Sequence, residues 1–437
     1  MSAKTESKTG DSRRVALGLL EAVWQKGRPL DEAIAADRRL AALPPRERAF
    51  VRALAATCLR RQGQIDALID TRLDKPLKPA LARVRAILRL GAAQACFLKV
   101  PPHAAVSTAV ELARGRSERP FRGLINAVLR RIAEGGAAEL AAQDAGRLNT
   151  PDWLWESWCA AYGAATAARI AAAQLADPPL DLSLQPGEDA EAWAAKLDAR
   201  VLPGGSLRLA PGTGDVARLP GYGEGAWWVQ DLAAALPARL LGAVAGRRVI
   251  ELCAAPGGKT AQLAAAGAEV IALDQSEARL KRLTQNLQRL KLSAATVAAD
   301  AAAWQPPEPA DLVLLDAPCS ATGTLRRHPD IARLRRPHDV AALTALQDRL
   351  LRAAAGMLAP GGTLVYAVCS LQPEEGPGRV DTLLRKVPEL ERVPVTADEF
   401  FGLTELVTPE GDLRSLPCHL EELGGLDGFY ACRLRRR

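Results

Sequence analysis

The chain has no run of 18 uncharged apolar residues, so no segment is expected to span a membrane. Its eight cysteines, Cys58, Cys96, Cys159, Cys253, Cys319, Cys369, Cys418 and Cys432, form no close pairs. That spacing excludes a zinc ribbon and a small disulfide framework, and a reducing, cytoplasmic setting is expected. Histidine is scarce: His103, His328, His338 and His419 are scattered, so no metal site is expected. Residues 1–14 are polar and of mixed charge with no apolar centre, and no signal peptide is expected there. At 437 residues the chain exceeds one compact core, and two or three domains are expected.

What is present is unevenly charged. Residues 1–150 hold 27 Lys and Arg against 15 Asp and Glu, an excess of +12, whereas the rest holds 30 against 35, a deficit of 5. A basic first third suits a polyanion such as RNA or DNA; solvated Arg-rich helix faces would give the same count.

Residues 11–145 read as an α bundle. Ser12 is placed to cap a helix over 15–24, and Pro44-Pro45 opens one over 46–61 with an apolar stripe at Phe50, Val51, Leu54 and Cys58. Further helices are expected over 81–97, 103–114 and 121–132. The ordered segments Arg46-Glu47-Arg48-Ala49-Phe50-Val51, Leu88-Arg89-Leu90-Gly91-Ala92, Pro101, His103-Ala104-Ala105-Val106 and Gly123 to Arg130 resemble the NusB-type helical RNA-binding domain.

Between the bundle and the next pattern, residues 149–152 read as the end of one helix and the cap of another, which carries Trp153, Trp155 and Trp158. Such a cluster stacks on bases or fills a core; the core or interface reading is preferred. Residues 180–184 alternate like a half-exposed strand, and 180–230 read as a small α+β module.

From residue 247 strands and helices alternate, the pattern of a parallel doubly wound sheet. Strands are expected over 248–252, 269–273, 295–299, 310–315 and 363–369, helices over 259–266, 277–290 and 340–357, with Gly361-Gly362 turning the last helix into its strand. Residues 428–434 alternate as a closing strand. The expected division is an all-α bundle over 1–145, a linker helix and small α+β module over 146–235, and a Rossmann-like α/β domain over 236–437.

The loop Cys253-Ala254-Ala255-Pro256-Gly257-Gly258-Lys259-Thr260 follows a strand and opens a helix, where glycines let a ligand approach backbone N–H groups. A P-loop would need Gly at position 253, where Cys253 stands. A nucleoside loop of the S-adenosylmethionine type calls instead for an acid after the next strand, for the ribose, and a polar group after the third, for the adenine. Asp274 and Asp300 stand there. Two further motifs end strands: Asp316-Ala317-Pro318-Cys319-Ser320, and Cys369-Ser370 followed by Pro373-Glu374-Glu375. A lone strand-end cysteine is usually a small buried hydrophobe, but two on the ligand edge of one sheet, each followed by Ser, indicate thiol chemistry.

This set resembles the RNA cytosine-5 methyltransferases over roughly the last 200 residues. With the NusB-type segments it resembles the Sun/Fmu (RsmB-type) small-subunit rRNA methyltransferases. The resemblance implies S-adenosylmethionine as methyl donor and 16S rRNA as substrate, free or in an early particle, with methylation at C5 of the cytosine at position 967. It also implies Cys369 as nucleophile, Cys319 as the release-step residue and Asp316 on the cytosine N3/N4 edge. Lys259 is expected to pair with Asp316, and Cys253 to line the cofactor loop. Arg326, Arg327, Arg333, Arg335 and Arg336 flank the second motif, where they could clamp phosphates or pair with Asp330 and Asp339. A monomer is expected. Relatives usually carry Gly at Ala321, Thr at Val368, Asn at Gly376, and an Arg and an Asn in the strand where Asp181, Ser183 and Gln185 alternate.

Overall fold

The computed structural model describes residues 2–437, with side chains from residue 11 onward, so most of the stretch weighed as a signal peptide lies outside the described side chains. The chain forms two compact units, one of residues 1–176 with 325–335 and the other of residues 177–324 with 336–437.

The first unit is helical. Helices Ser2–Lys26, Pro45–Arg60, Ala82–Cys96, Pro102–Leu112 and Arg122–Ala142 carry its core, joined by Leu30–Ala36, Arg38–Ala42 and Gln62–Asp70. The apolar stripes point inward, with Leu20, Leu54, Ile87 and Val128 fully buried. Ser12 is not a cap. The first helix starts ten residues earlier, and the buried Ser12 hydroxyl donates to Glu47 on another helix. Residues 149–152 do end one helix and cap the next: Ala145–Asn149 stops there and Pro151 holds the N-cap of Asp152–Tyr162, without a side-chain bond. Asn149 serves a distant helix, accepting from Gly63 N at 2.9 Å and Gln64 N at 3.2 Å at the start of Gln62–Asp70. Trp158 is fully buried and Trp153 and Trp155 are half-buried, so the cluster is packing first.

Residues 325–335 fold with this unit. Leu30 N donates to Asp330 Oδ2 at 3.0 Å, Arg60 to Arg326 O at 2.9 Å, and Arg333 to Asn149 O at 3.0 Å. Arg326 is only 2% exposed, which corrects the expectation of a phosphate clamp at that position. Arg336 caps helix Pro337–Gly356, its N–H donating to Asp339 at 2.8 Å.

The second unit opens with an antiparallel sheet of β1 (Leu180–Leu184), β2 (Arg200–Val201), β3 (Leu207–Leu209) and β4 (Trp227–Val229), in the order β2-β3-β1-β4. Strand β1 is not half-exposed: Asp181 and Ser183 are buried, because Asp181 pairs with Arg208 at 2.6 Å and Ser183 donates to Gln230 at 2.9 Å. Gln185 donates to Leu290 O at 2.9 Å. These polar side chains hold the module together.

The main sheet comprises β5 (Arg248–Leu252), β6 (Glu269–Asp274), β7 (Ala295–Ala298), β8 (Ala310–Asp316), β9 (Leu358–Val368), β10 (Leu390–Arg392), β11 (Leu413–Ser415) and β12 (Phe429–Arg436). Its order is β10-β12-β9-β8-β5-β6-β7, with β11 on β12. Strands β5 to β9 are parallel and β12 runs antiparallel to β9. Gly361-Gly362 lies inside β9, not before it; the register against β8 jumps there from Ala310–Leu358 to Leu312–Thr363. The strand order reverses between β5 and β8, and ligands bind such sheets outside the carboxyl ends of the strands at that point. The candidate cofactor-loop, acid and thiol residues lie in the turns at those ends.

Candidate active site

The loop after β5 is shaped by its neighbours. Ala254 N donates to Leu273 O at 3.0 Å and Ala255 N to Asp274 Oδ2 at 3.2 Å, so the end of β6 templates the turn. The Ala255–Pro256 peptide is cis. Gly257 caps helix Gly258–Ala265 with φ +100°, and a Cβ there would stand 2.7 Å from Leu283. Only glycine meets both demands.

Asp274 is 2% exposed and also accepts from Ser276 N at 2.9 Å, with Arg279 at 3.3 Å. Asp300 is exposed after β7, accepts from Ala302 N at 2.9 Å and lies 3.6 Å from Arg349. A cleft joins Cys253, Asp274 and Asp300 with the apolar Leu273, Leu346 and Leu350. Acceptors on one side and apolar walls on the other suit a nucleoside: carboxylates meet hydroxyl and amino donors while the walls take a base. Burial, then the negative field of Asp316 and Asp274, pushes the Cys253 thiol up to about 12, so it lines the cleft as a neutral thiol.

At the neighbouring strand end, Lys259 Nζ lies 2.7 Å from Asp316 Oδ2 and over the Phe429 ring at 5.0 Å. The lysine is 7% exposed and the aspartate side chain 30%. Burial opposes the ammonium, but the field and hydrogen bond of Asp316 outweigh it and raise the lysine pKa. A lysine so committed is not placed for the phosphate work of a P-loop. Beneath it, Glu251 accepts from Thr260 Oγ1 at 2.6 Å.

The two cysteines meet. Cys319 Sγ and Cys369 Sγ are 3.5 Å apart. Cys319 is 8% exposed, and its pKa is raised well above that of a free thiol by the contact with Cys369 and then by burial. Either sulfur can donate across the contact, and Cys369 is the more accessible of the two. Gly323 N bonds Cys369 O at 3.0 Å, and a Cβ on Gly323 would stand 2.0 Å from Gly428 O, so the turn after β8 is pressed between β9 and β12.

Sequence reasoning assigned no role to the groups behind the thiols. Ser320, Thr322, Ser370, Gln347 and Glu375 are fully buried and bonded to one another. The signal was the repeated Cys-Ser pair with an acid six residues after the second cysteine. Gly376 is crowded by Arg414: a Cβ would stand 2.9 Å from its Nη2, while Nη1 donates to Ser370 O at 2.7 Å.

Comparison with known proteins points the same way. Residues 238–435 match the family model described as 16S rRNA methyltransferase RsmB/F, and residues 10–134 match the NusB family. The chain is 37% identical over 396 residues to the ribosomal RNA small subunit methyltransferase B of Vibrio cholerae, covering 87% of this chain and 91% of that protein. It is 37% identical over 417 residues to the same-named protein of Xanthomonas campestris, covering 91% and 93%. Among solved structures it resembles PH0851 (TM-score 0.76, 23% identity, 97% of this chain and 99% of that one) and NSun6 from Pyrococcus horikoshii (TM-score 0.56, 20% identity, 65% and 98%), which bears on the fold alone.

Proposed function

From the premise that the chain belongs to the 16S rRNA methyltransferase RsmB/F family, we propose that it methylates C5 of a cytosine in 16S rRNA through a covalent bond from Cys369 to C6. The observation that carries this reading is the pair of thiols 3.5 Å apart beside the Lys259–Asp316 ion pair.

C5 of cytosine is a weak nucleophile. A thiolate adding to C6 breaks the 5,6 double bond and moves its electrons to C5, which can then take an electrophilic methyl. S-adenosylmethionine supplies that methyl when bound, and the loop 253–259 with Asp274, Asp300 and Asp316 is the expected holder. Cys369 is the attacking group, as the family resemblance implies, and it is the more accessible of the two thiols. Asp316, paired with Lys259 and partly exposed, faces the N3/N4 edge of the base and stabilises charge as C6 is attacked. After transfer a base takes the C5 proton, the C5–H electrons re-form the 5,6 double bond, and the C6–S bond breaks with its electrons returning to Cys369 sulfur. Cys319, 3.5 Å away, serves that release step.

Cys369→Ser is expected to abolish methyl incorporation into a 16S rRNA transcript, whereas Cys319→Ala is expected to accumulate an RNA–protein adduct that survives a denaturing gel. Wild-type turnover by the first variant, or unhindered turnover without adduct by the second, would remove the two-thiol scheme. The expected target is the cytosine at position 967. Bisulfite sequencing of rRNA from a strain lacking the gene should show that protection lost there.

A further inference from the structure

Glu375 follows the second cysteine by six residues and is fully buried. Its carboxylate collects the residues next to both thiols. Oε1 accepts from Ser320 N at 2.8 Å and Gln347 Nε2 at 3.1 Å. Oε2 accepts from the hydroxyls of Ser320 and Ser370, which lie 3.1 Å from each other. Each serine directly follows a cysteine, so one carboxylate ties the turn after β8 to the turn after β9. The remaining valences close around it. Thr322 Oγ1 accepts from Leu371 N at 3.0 Å, Ser370 Oγ accepts from Gln372 N at 3.0 Å, and Gln347 also donates to Pro318 O at 2.9 Å. The Glu375 carbonyl accepts from Tyr366 Oη at 2.5 Å, anchoring its backbone to β9.

We propose that Glu375 is a positioning residue for the two-thiol site: by binding Ser320 and Ser370 at once, it fixes the separation and mutual orientation of Cys319 and Cys369. Four donors converge on the two oxygens, a pattern that an uncharged amide cannot match because it offers one acceptor and one donor group. Two strand-end loops with separate anchors would drift independently; one shared buried carboxyl group makes their spacing a single quantity. The charged and titratable groups around the thiols are Glu375 and Tyr366 beside Cys319, and Lys259 near Cys369. Glu375 is thus the carboxyl group on the Cys319 side.

The catalytic consequence rests on the cytosine-5 reading, but the spacing itself can be measured without it. Full-length Glu375→Gln and Ser370→Ala are compared with wild type in two assays. In the first, diamide takes two electrons and two protons from the thiols, and the Cys319–Cys369 disulfide is followed by peptide mass spectrometry. In the second, methyl transfer to 16S rRNA is measured. Both variants should form the disulfide about tenfold more slowly and lose about 10- to 100-fold in kcat, with KM for S-adenosylmethionine within about twofold of wild type. Wild-type disulfide rates in folded variants would overturn the proposal, whatever happens to methylation. Slow disulfide formation with undiminished kcat would leave the positioning role standing and overturn the two-thiol mechanism instead. Should the Gln variant fail to fold, Ser370→Ala, which removes one hydroxyl and leaves the carboxylate in place, decides the matter by the same two measurements.

Discussion

Glu251 accepts a hydrogen bond from Thr260 while 1% exposed, and burial pushes its pKa up to about 8; Thr260 and Lys259 only partly offset this. An acid whose folded pKa exceeds its unfolded value adds stability below the unfolded value, and that stability is lost as pH rises through the folded one. For Glu251 the window runs from its ordinary 4.5 up to about 8. Wild-type protein should therefore lose ~2–4 kcal/mol of unfolding free energy between these pH values from this group. Glu251→Gln, neutral throughout, should flatten that slope in urea denaturation at pH 5 and pH 8.5; an unchanged slope would place the titration elsewhere. At this scale the sequence was informative about chemistry. Strand ends, loop composition and the family resemblance singled out Cys253, Asp274, Asp300, Asp316, Lys259, Cys319 and Cys369, and the fold gathers them at the carboxyl ends of one sheet. Glu375 was visible in its motif but not in its role, because nothing in a linear spacing shows which loops share one carboxylate.

Among the elements, β1 shows where pattern reading fails. Leu180-Asp181-Leu182-Ser183-Leu184 alternates as if one face met water, yet Asp181 is 1% exposed. Its partner Arg208 on β3 is bonded twice to the carboxylate, at 2.7 and 2.6 Å, and reaches Leu423 O and Gly425 O at 2.8 and 2.7 Å. Leu232 N adds a third donor to Asp181 at 3.1 Å. Periodicity reports polarity, and a paired ion is polar wherever it lies. Asp181→Ala should cost about 3–5 kcal/mol in urea denaturation because Arg208 is left buried and unpaired, whereas Asp181→Leu with Arg208→Met should recover much of that loss. Equal losses in the single and double variants would show that the pair contributes no such coupling. By contrast, the helix Glu277–Leu290 was legible to the residue, because Leu280, Leu283, Leu287 and Leu290 repeat at helical spacing with charge between them.

For the molecule as a whole, the +12 excess in the first 150 residues is only partly available to a partner. Arg85 and Arg89 are tied to Asp66 at 2.8 and 2.7 Å, and Arg13 is buried against Gln94 at 2.7 Å. Arg122, Arg130 and Arg131 are exposed on helix Arg122–Ala142. Replacing these three by Gln should weaken RNA binding similarly across sequences and reduce the slope of log K against log salt by up to about 0.7 per residue on single strands. An unchanged slope in filter binding would assign the excess to solvation. Substitution is a cleaner test than deleting residues 1–145, because residues 325–335 belong to the same unit and would lose their packing partners. Sequence alone determined the two classes of architecture, the glycine-bearing loop after β5 and the two strand-end thiols, since periods of 3.6 and 2 and the residues at strand ends are local properties of the chain. Tertiary structure decided that residues 325–335 leave the α/β unit, that Asp181 and Arg326 are interior, and that Cys319 and Cys369 stand 3.5 Å apart before one buried carboxylate. Each of these depends on contacts between residues tens to hundreds of positions apart, and no local pattern encodes which distant surface a side chain will meet.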